Sequence, residues 1–221
     1  MSKYIVGVDE VGRGSLVGSV IICAFKSHNS LFEKCPFKVR DSKKISKIKR
    51  EKIYNFFKEN NKLNFTYKIV FGKKKDIENK NIHKVVLESM SRAVQSIASY
   101  QDQVIIDGSF IPKDLKNYNV SSIVKADDKI EQVSAASIIA KVFRDKLMTK
   151  LHSIESFYEW NKNAGYGTKN HLSALNEVGI SQYHRKTYQP IVNLLQSYLP
   201  SYQQRYCLLV LLNQKKNKIH R

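Results

Sequence analysis

The stretch GVDEVGRGSLVG, residues 7–18, decides how the N-terminal part of this chain folds. Residues 3–9 are mostly apolar and predict a β-strand, which runs into two adjacent carboxylates, Asp9 and Glu10. A glycine-rich turn follows, and the apolar run at residues 16–25 predicts a second, buried strand. Because the turn between them is short, we expect the two strands to pair in antiparallel orientation.

The hydrophobic pattern of the remaining chain predicts an α/β fold with one mixed five-stranded sheet and helices on its faces. Ser46 and Ser134 are plausible N-caps for two of these helices. The further predicted strands are 63–71, 103–108 and 120–128, and the predicted helices are 46–60, 82–100, 133–154, 170–178 and 188–198.

Composition limits the classes of partner and of cellular location. The chain has 221 residues, 42% of them hydrophobic, and a formal net charge of +19, so the expected partner is a polyanion, either nucleic acid or an anionic membrane. Three cysteines without a repeated spacing argue against a disulfide framework and a zinc site, and we expect Cys23 to pack as a small hydrophobe. With neither a signal peptide nor an apolar run of about 20 residues in view, we expect a cytoplasmic protein that does not insert into membranes.

Three predicted strands end in acidic residues: the first at Asp9 and Glu10, the fourth at Asp107, and the fifth at Asp127, with Asp128 beside it. If these strands are neighbours, four carboxylates meet at one place, where their mutual repulsion requires a cation. Ligands that are all oxygen favour hard divalent ions, and a site of this type can bind two Mg²⁺ or Mn²⁺ ions for phosphodiester hydrolysis.

Each of these features also has an ordinary structural explanation. A single aspartate at a strand end is commonly a turn residue, and a Gly-Arg-Gly turn can be a hairpin whose arginine is solvated. Successive side chains of a strand point to opposite faces, so Asp9 and Glu10 share a site only if the chain twists or ends there. Lys43 lies in a lysine-rich run, which is usually a solvated surface, and Asp145 is interpreted as structural.

The order of six sequence blocks resembles that of the type 2 ribonuclease H family, from about residue 4 to residue 195. Each block alone is a weak signal, but their common order is specific. The blocks are GVDEVGRG, DSKK, IIDG, KADD with VSAASIIAKVFRD, GYGTKNH, and HRKTYQP.

The resemblance implies a ribonuclease H-like fold and metal-dependent hydrolysis of RNA in RNA–DNA hybrids. It also implies cleavage 5′ of a single ribonucleotide embedded in duplex DNA, leaving a 3′-hydroxyl and a 5′-phosphate. The residues that match the family's metal-binding and catalytic carboxylates are Asp9, Glu10, Asp107 and Asp127. The residues that match its substrate contacts are Gly12, Arg13 and Gly14 at the ribose 2′-hydroxyl, Lys43 near the phosphate, and Tyr166 on the sugar after the junction.

We therefore expect a catalytic domain at residues 1–155 and a C-terminal helical region at 156–221, which carries a substrate-contacting loop and packs on the same domain. Ser15 and Ser19 depart from the family's usual residues, and we expect only loop stiffness to change. Arg13, where type 3 enzymes carry lysine, favours type 2. We expect a monomer, and a contact with a replication clamp stays open.

Two alternatives remain at this point. The chain could be a non-catalytic protein of the same fold that binds hybrids or double-stranded RNA through its positive charge, although a pure binder gains nothing from four acids that face a polyanion. It could also be a nuclease that resolves DNA junctions and ignores ribose. The Gly-Arg-Gly turn and Tyr166 argue against that second alternative.

Overall fold

The computed structural model describes residues 4–39, 42–60 and 63–197, except for the side chain of Lys43. Five strands form a single sheet in this part of the chain. They are β1 (Ile5–Val11), β2 (Val20–Ser27), β3 (Phe65–Gly72), β4 (Gln103–Asp107) and β5 (Asn119–Ile123).

The strands are ordered β3-β2-β1-β4-β5 across the sheet. β1 pairs antiparallel with β2, and β2 pairs antiparallel with β3, whereas β1, β4 and β5 are parallel. The predicted mixed five-stranded sheet and its antiparallel first pair are thus confirmed. The strand β1 lies at the centre, so its C-terminal end is flanked by β2 on one side and β4 on the other.

Eight α-helices occur in the described residues. They are α1 (Ser30–Glu33), α2 (Lys47–Glu59), α3 (Lys74–Lys80), α4 (Ile82–Gln95), α5 (Glu131–Ile154), α6 (Trp160–Asn163), α7 (Lys169–Val178) and α8 (Gln189–Ser197). Ser46 caps α2 as predicted, because its side chain accepts a hydrogen bond from the Lys49 amide. The five predicted helices are all present, and the short helices α1, α3 and α6 were not predicted.

The helices α5 and α4 cover opposite faces of the sheet. On the α5 face, α2 and the inward side chains of β2 complete one apolar cluster, and on the other face the α4 side chains pack against Val6, Val8 and their neighbours. The backbone of α5 comes so close to β1 that a Cβ atom on Gly7 would lie 2.2 Å from the Gln132 carbonyl carbon. Glycine at this position therefore lets the long helix lie directly on the central strand.

A third apolar cluster joins the C-terminal helices to the first loop of the chain. Leu16 and Val17 pack there against Trp160, Leu175 and Ile191. The prediction that β2 starts at residue 16 was wrong, because the strand begins at Val20. Leu16 and Val17 are apolar because they pack in the third cluster and not because they belong to the strand. The division at residues 155 and 156 stays a prediction.

Two further boundaries were wrong for local reasons. β5 ends at Ile123, and Asp127 lies in a single 3₁₀ turn, Ala126–Asp128, because Lys125 takes the left-handed conformation (φ 58°) and breaks the strand. Ser134 lies inside α5, which begins at Glu131, and its hydroxyl donates to backbone carbonyls.

Cys23 is fully buried among apolar side chains, as predicted. Cys207 lies outside the described residues. In the described part of the chain, no helix combines the length and the apolar character that a membrane crossing requires.

Candidate active site

The carboxylates of Asp9 and Asp107 lie side by side at the C-terminal ends of two neighbouring parallel strands. The register pairs Val8 with Ile106, so the next residue of each strand is an aspartate. Both side chains leave on the face that α5 covers, where Asp9 is hydrogen-bonded to Ser137. The sheet topology therefore brings together two acids that are 98 positions apart in the sequence.

Asp127 reaches the same edge of the sheet through the turn that follows β5. The backbone amide of Ala126 donates a 2.8 Å hydrogen bond to Oδ1 of Asp107, and the Ser134 hydroxyl holds the carbonyl of Asp127 at 2.6 Å. Asp127 is buried. Its neighbour Asp128 forms an ion pair with Lys44 at 2.6 Å.

Glu10 leaves β1 on the opposite face from Asp9, since the strand continues through both residues to Val11. Its carboxylate lies 3.5 Å from the Arg13 guanidinium. The strand therefore does not end between Asp9 and Glu10, which was one of the two conditions for a shared site. The two carboxylates nevertheless repel each other at the strand end, and this repulsion raises the pKa of Asp9.

The pKa of Asp9 is raised well above its ordinary value, first because the carboxyl is buried and second because Glu10 lies beside it. Asp107 adds a smaller repulsion of the same sign. Hydrogen bonds from Ser137 and from the Glu10 amide act in the opposite direction. An electrostatic arrangement of this kind disfavours negative charge in the free protein and favours a bound cation.

In the described residues, no group of three or more histidine, cysteine, aspartate or glutamate side chains forms a ready-made metal cage. The donors that Asp9 and Asp107 offer are all oxygen, which suits Mg²⁺ or Mn²⁺. The chemistry of these donors and the raised pKa of Asp9 thus fit a hard divalent ion, and the side chains would have to turn toward it.

The Gly-Arg-Gly loop follows directly after the acidic strand end. Gly12 has a φ of 89°, a conformation that favours glycine. Arg13 and Gly14 are exposed, and a second contact from the Arg13 guanidinium reaches Nδ1 of His83 at 3.2 Å. The loop thus presents an open backbone edge within a few residues of Asp9.

Tyr166 lies next to this loop, and the residue is 38% exposed. The nearest neighbour of a Cβ atom on Gly14 would be the Tyr166 ring, at 3.9 Å. The backbone around Tyr166 is held on both sides: the Leu16 amide donates to the Gly165 carbonyl at 2.9 Å, and Nδ1 of His171 contacts the Tyr166 carbonyl at 2.9 Å. The loop is therefore anchored rather than flexible, and only the ring is free to meet a substrate.

Lys43 belongs to the 3₁₀ turn Ser42–Lys44. Its neighbour Ser42 is hydrogen-bonded to Ser137 of α5 at 2.8 Å, and Ser137 also contacts Asp9. Two serine side chains, Ser42 and Ser137, thus connect this turn to the acidic strand end. The side chain of Lys43 lies outside the described residues.

Two fully buried arginines that sequence reasoning passed over support these loops. Arg144 donates to the carbonyls of Ser19 at 2.7 Å, Val17 at 2.9 Å and Ala164 at 3.1 Å, and to the Ser15 hydroxyl. Burial and then repulsion by Arg185 lower the pKa of Arg144 to about 9. Arg144 thus ties the first loop to the segment that precedes Tyr166, and Ser15 has a structural role there.

Asp145, the neighbour of Arg144, faces elsewhere and pairs with Lys141 at 2.7 Å and Arg50 at 3.4 Å. These ion pairs agree with its interpretation as a structural residue. The local signal for Arg144 and Arg185 was weak, because their partners are far away in the sequence. Both residues do lie inside the sequence blocks that carry the resemblance.

Comparisons with known proteins give one family. Residues 6–191 match the family described as Ribonuclease HII. The Ribonuclease HII of Pelagibacter ubique (strain HTCC1062) is 45% identical over 193 residues, which cover 87% of this chain and 100% of that protein.

Solved structures agree with this assignment. The ribonuclease H2 from Pyrococcus horikoshii OT3 superimposes with a TM-score of 0.72 at 25% identity, covering 86% of this chain and 96% of that one. The Bst-RNase HIII in complex with Mn²⁺ shares the fold, with a TM-score of 0.63 at 17% identity over 88% of this chain and 70% of that one. The predicted ribonuclease H-like α/β fold is confirmed, and the chain belongs to the ribonuclease HII family, endoribonucleases that cleave RNA in RNA–DNA hybrids.

Proposed function

We propose that this chain also cuts duplex DNA on the 5′ side of a single embedded ribonucleotide, and that Asp9, Glu10, Asp107 and Asp127 hold the divalent ions that the reaction needs. The observation that carries the proposal is the adjacency of Asp9 and Asp107 at the end of two parallel strands, directly before an exposed Gly-Arg-Gly loop. Acids beside a polyanion are unfavourable unless cations neutralise them.

The reaction is the hydrolysis of one phosphodiester. A water oxygen attacks phosphorus, the P–O3′ bond breaks, and the products carry a 3′-hydroxyl and a 5′-phosphate. When bound, two ions of Mg²⁺ or Mn²⁺ would activate the water and neutralise charge on the leaving oxygen. The presence of Mn²⁺ in the related Bst-RNase HIII structure supports this choice of ion.

The neighbouring residues of the chain fix the positions of the proposed metal-binding carboxylates. Asp9 is fixed by its strand and by Ser137, and Asp107 is fixed by the Ala126 amide. Glu10, on the opposite face of the strand, would hold an ion only at the rim where the strand ends. We place Asp127, and not Asp128, in the ligand set because Asp127 is buried and occupies the acid position of the KADD block in the family resemblance.

Specificity for sugar type would come from the loop and from Tyr166. The 2′-hydroxyl is the group that distinguishes RNA from DNA at a given nucleotide. Backbone groups at Gly12, Arg13 and Gly14 can contact it for every base, and the exposed Tyr166 ring can stack on the deoxyribose that follows. Lys43 is proposed to contact the phosphate. The substrates are thus RNA–DNA hybrids and duplex DNA that contains ribonucleotides.

The test is cleavage of a 5′-labelled duplex with one ribonucleotide in the presence of Mg²⁺ or Mn²⁺. We expect one cut, immediately 5′ of the ribonucleotide, and a 3′-hydroxyl end that a polymerase extends. An all-DNA duplex should stay intact, which separates this function from junction resolution. The proposal is wrong if the protein cleaves a long RNA–DNA hybrid under the same conditions but leaves the single-ribonucleotide strand intact.

A further inference from the structure

The carbonyl oxygen of Arg13 is held by two side chains from the C-terminal region. Nη1 of Arg185 donates to it at 3.0 Å and the Tyr188 hydroxyl donates to it at 2.6 Å. The same guanidinium nitrogen also donates to the Tyr188 hydroxyl at 2.9 Å. Both lone pairs of this carbonyl are therefore engaged from the inside of the molecule.

Arg185 is itself rigidly placed. It is fully buried, its Nε donates to the Gly18 carbonyl at 2.8 Å, and its backbone amide donates to the Leu16 carbonyl at 2.7 Å. Arg185 is thus hydrogen-bonded to three carbonyls of the loop, those of Arg13, Leu16 and Gly18. A guanidinium fork that binds several carbonyls at fixed angles is a more exact support than a flexible ammonium group.

The orientation of the next amide follows from peptide geometry. The described chain contains no cis peptide bond, and in a trans peptide the C=O and the N–H point in opposite directions. With the Arg13 carbonyl turned inward, the Gly14 N–H is turned outward. Gly14 is exposed, and no hydrogen bond within the described residues engages its N–H.

The charge of Arg185 gives a second indication of function. Within the described residues its hydrogen-bond partners are carbonyls and a phenol, and no carboxylate forms an ion pair with it. Burial lowers the pKa of Arg185. A buried cation without a paired anion contributes poorly to stability, whereas a positive charge under a loop that must approach a phosphodiester is favourable for binding.

We propose that Arg185 and Tyr188 are positioning residues, which turn the Arg13–Gly14 peptide so that the Gly14 N–H faces the substrate ribose and thereby set the preference for a 2′-hydroxyl. This inference rests on the proposed function, because it assigns a cause to the sugar specificity of the same site. Neither side chain needs to touch the substrate.

The test compares Tyr188→Phe with the wild-type protein on two duplexes. One contains a single ribonucleotide and is used to measure cleavage, and the other is all DNA with the same sequence and is used to measure binding, because it lacks the hydroxyl and is not cut. Tyr188→Phe removes one donor to the Arg13 carbonyl and keeps the ring. We expect kcat/KM on the ribonucleotide duplex to fall about tenfold, the effect of one hydrogen bond, and the Kd for the all-DNA duplex to change less than about twofold, because that duplex offers no hydroxyl to the amide.

Tyr183→Phe is the matched control, since it removes a tyrosine hydroxyl from the same segment without touching the Arg13 carbonyl, and it should leave both the cleavage rate and the all-DNA Kd unchanged. Arg185→Lys keeps the charge, loses the fork, and should reduce ribose preference more than Tyr188→Phe. The melting temperature of each variant identifies general unfolding.

An equal loss in cleavage of the ribonucleotide duplex and in affinity for the all-DNA duplex, or no loss in either, would overturn the inference. A wild-type protein that does not cut the ribonucleotide duplex would instead contradict the proposed function, so the two failures are distinguishable.

Discussion

The Nε2 atoms of His171 and His184 lie 3.0 Å apart in the interior of the C-terminal cluster. The Ser181 amide can only donate, so Nδ1 of His184 accepts at 2.9 Å and the ring proton is on Nε2. Trp160 donates to Nε2 of His171 at 3.1 Å, so the proton of that ring is on Nδ1 and points to the Tyr166 carbonyl. Both histidines are therefore neutral, and together they anchor the Tyr166 backbone.

Acid should destabilise the protein through this pair. Burial and then repulsion from His171 lower the pKa of His184 to about 4, whereas in the unfolded chain it is about 6.5. The unfolded state therefore binds more protons between these values, and the free energy of unfolding falls as the pH falls through that range. For His184 alone we expect a loss of about 2 kcal/mol between pH 7 and pH 5.

Urea unfolding at both pH values measures this loss. His184→Asn keeps an acceptor for the Ser181 amide and removes the titrating ring, so the variant should be less stable at pH 7 but should lose about 2 kcal/mol less on acidification. If the free energy of unfolding of His184→Asn fell by as much as that of the wild-type protein between pH 7 and pH 5, other groups would cause the acid sensitivity.

Tyr166→Ala should reduce cleavage at a single ribonucleotide by about tenfold to a hundredfold, the range for loss of one aromatic stacking contact. Its ring is exposed while its backbone is held, so the melting temperature should not change. Tyr166→Phe keeps the ring and should stay within about twofold of the wild-type rate.

The measurement is kcat/KM on the single-ribonucleotide duplex and on a continuous RNA–DNA hybrid. Because the proposed contact is with a deoxyribose, the alanine variant should lose more activity on the first substrate than on the second. A parallel loss on both substrates would exclude a role at the junction.

Much of the fold could be predicted because its signals are local. The α4 stripe, the Ser46 cap of α2 and the apolar strands all follow from residues close together in the sequence. The errors at β2 and β5 had causes that are not local: Leu16 is apolar because it packs against the C-terminal helices, and Lys125 breaks its strand through one left-handed residue.

In the candidate site, too, the features with a local signal could be predicted and those that depend on distant residues could not. The acids could be singled out because charge at the end of an apolar strand is conspicuous. The pairing of Asp9 with Asp107 depends on strand order, which no single segment encodes. Arg185 and His184 could not be assigned roles from the sequence, because a buried basic residue looks like a surface one until its partners, up to 172 positions away, are known.

Two glycines on either side of the acidic strand end should respond to alanine in opposite ways. In Gly7→Ala the added Cβ would lie 2.2 Å from the backbone of α5, so helix and strand must separate, and we expect a loss of about 3 kcal/mol or more. In Gly14→Ala the nearest atom is 3.9 Å away, so the fold has room for the methyl group. The methyl group would, however, occupy the surface that a ribose must approach, and a misplacement of about 1 Å can cost about a hundredfold in rate.

Thermal unfolding and ribonucleotide cleavage, measured on both variants, separate these effects. Gly7→Ala should melt well below the wild-type protein. Gly14→Ala should melt like wild type and cut poorly. Normal cleavage by Gly14→Ala would show that this loop does not contact the substrate.

Asp9→Asn should make the metal-free protein more stable while it abolishes cleavage. The carboxyl is buried beside Glu10 and Asp107, and its raised pKa shows that the charged form is disfavoured in the folded protein. The amide keeps the size of the side chain and an acceptor for the Glu10 amide, so removal of the charge should raise the melting temperature by about 2–4 °C. Added Mg²⁺ or Mn²⁺ should stabilise the wild-type protein and have little effect on the variant.

Asp145→Asn is the matched control, because it removes a carboxylate that is compensated by Lys141 and Arg50. It should lower the melting temperature and leave both cleavage and the stabilisation by metal intact. The two aspartate-to-asparagine substitutions should thus change the melting temperature in opposite directions, because the charges around the two carboxylates differ. If Asp9→Asn melted below the wild-type protein in the absence of metal, Asp9 would be a structural carboxylate, and the acidic strand end would not be the electrostatically disfavoured site from which cation binding is inferred.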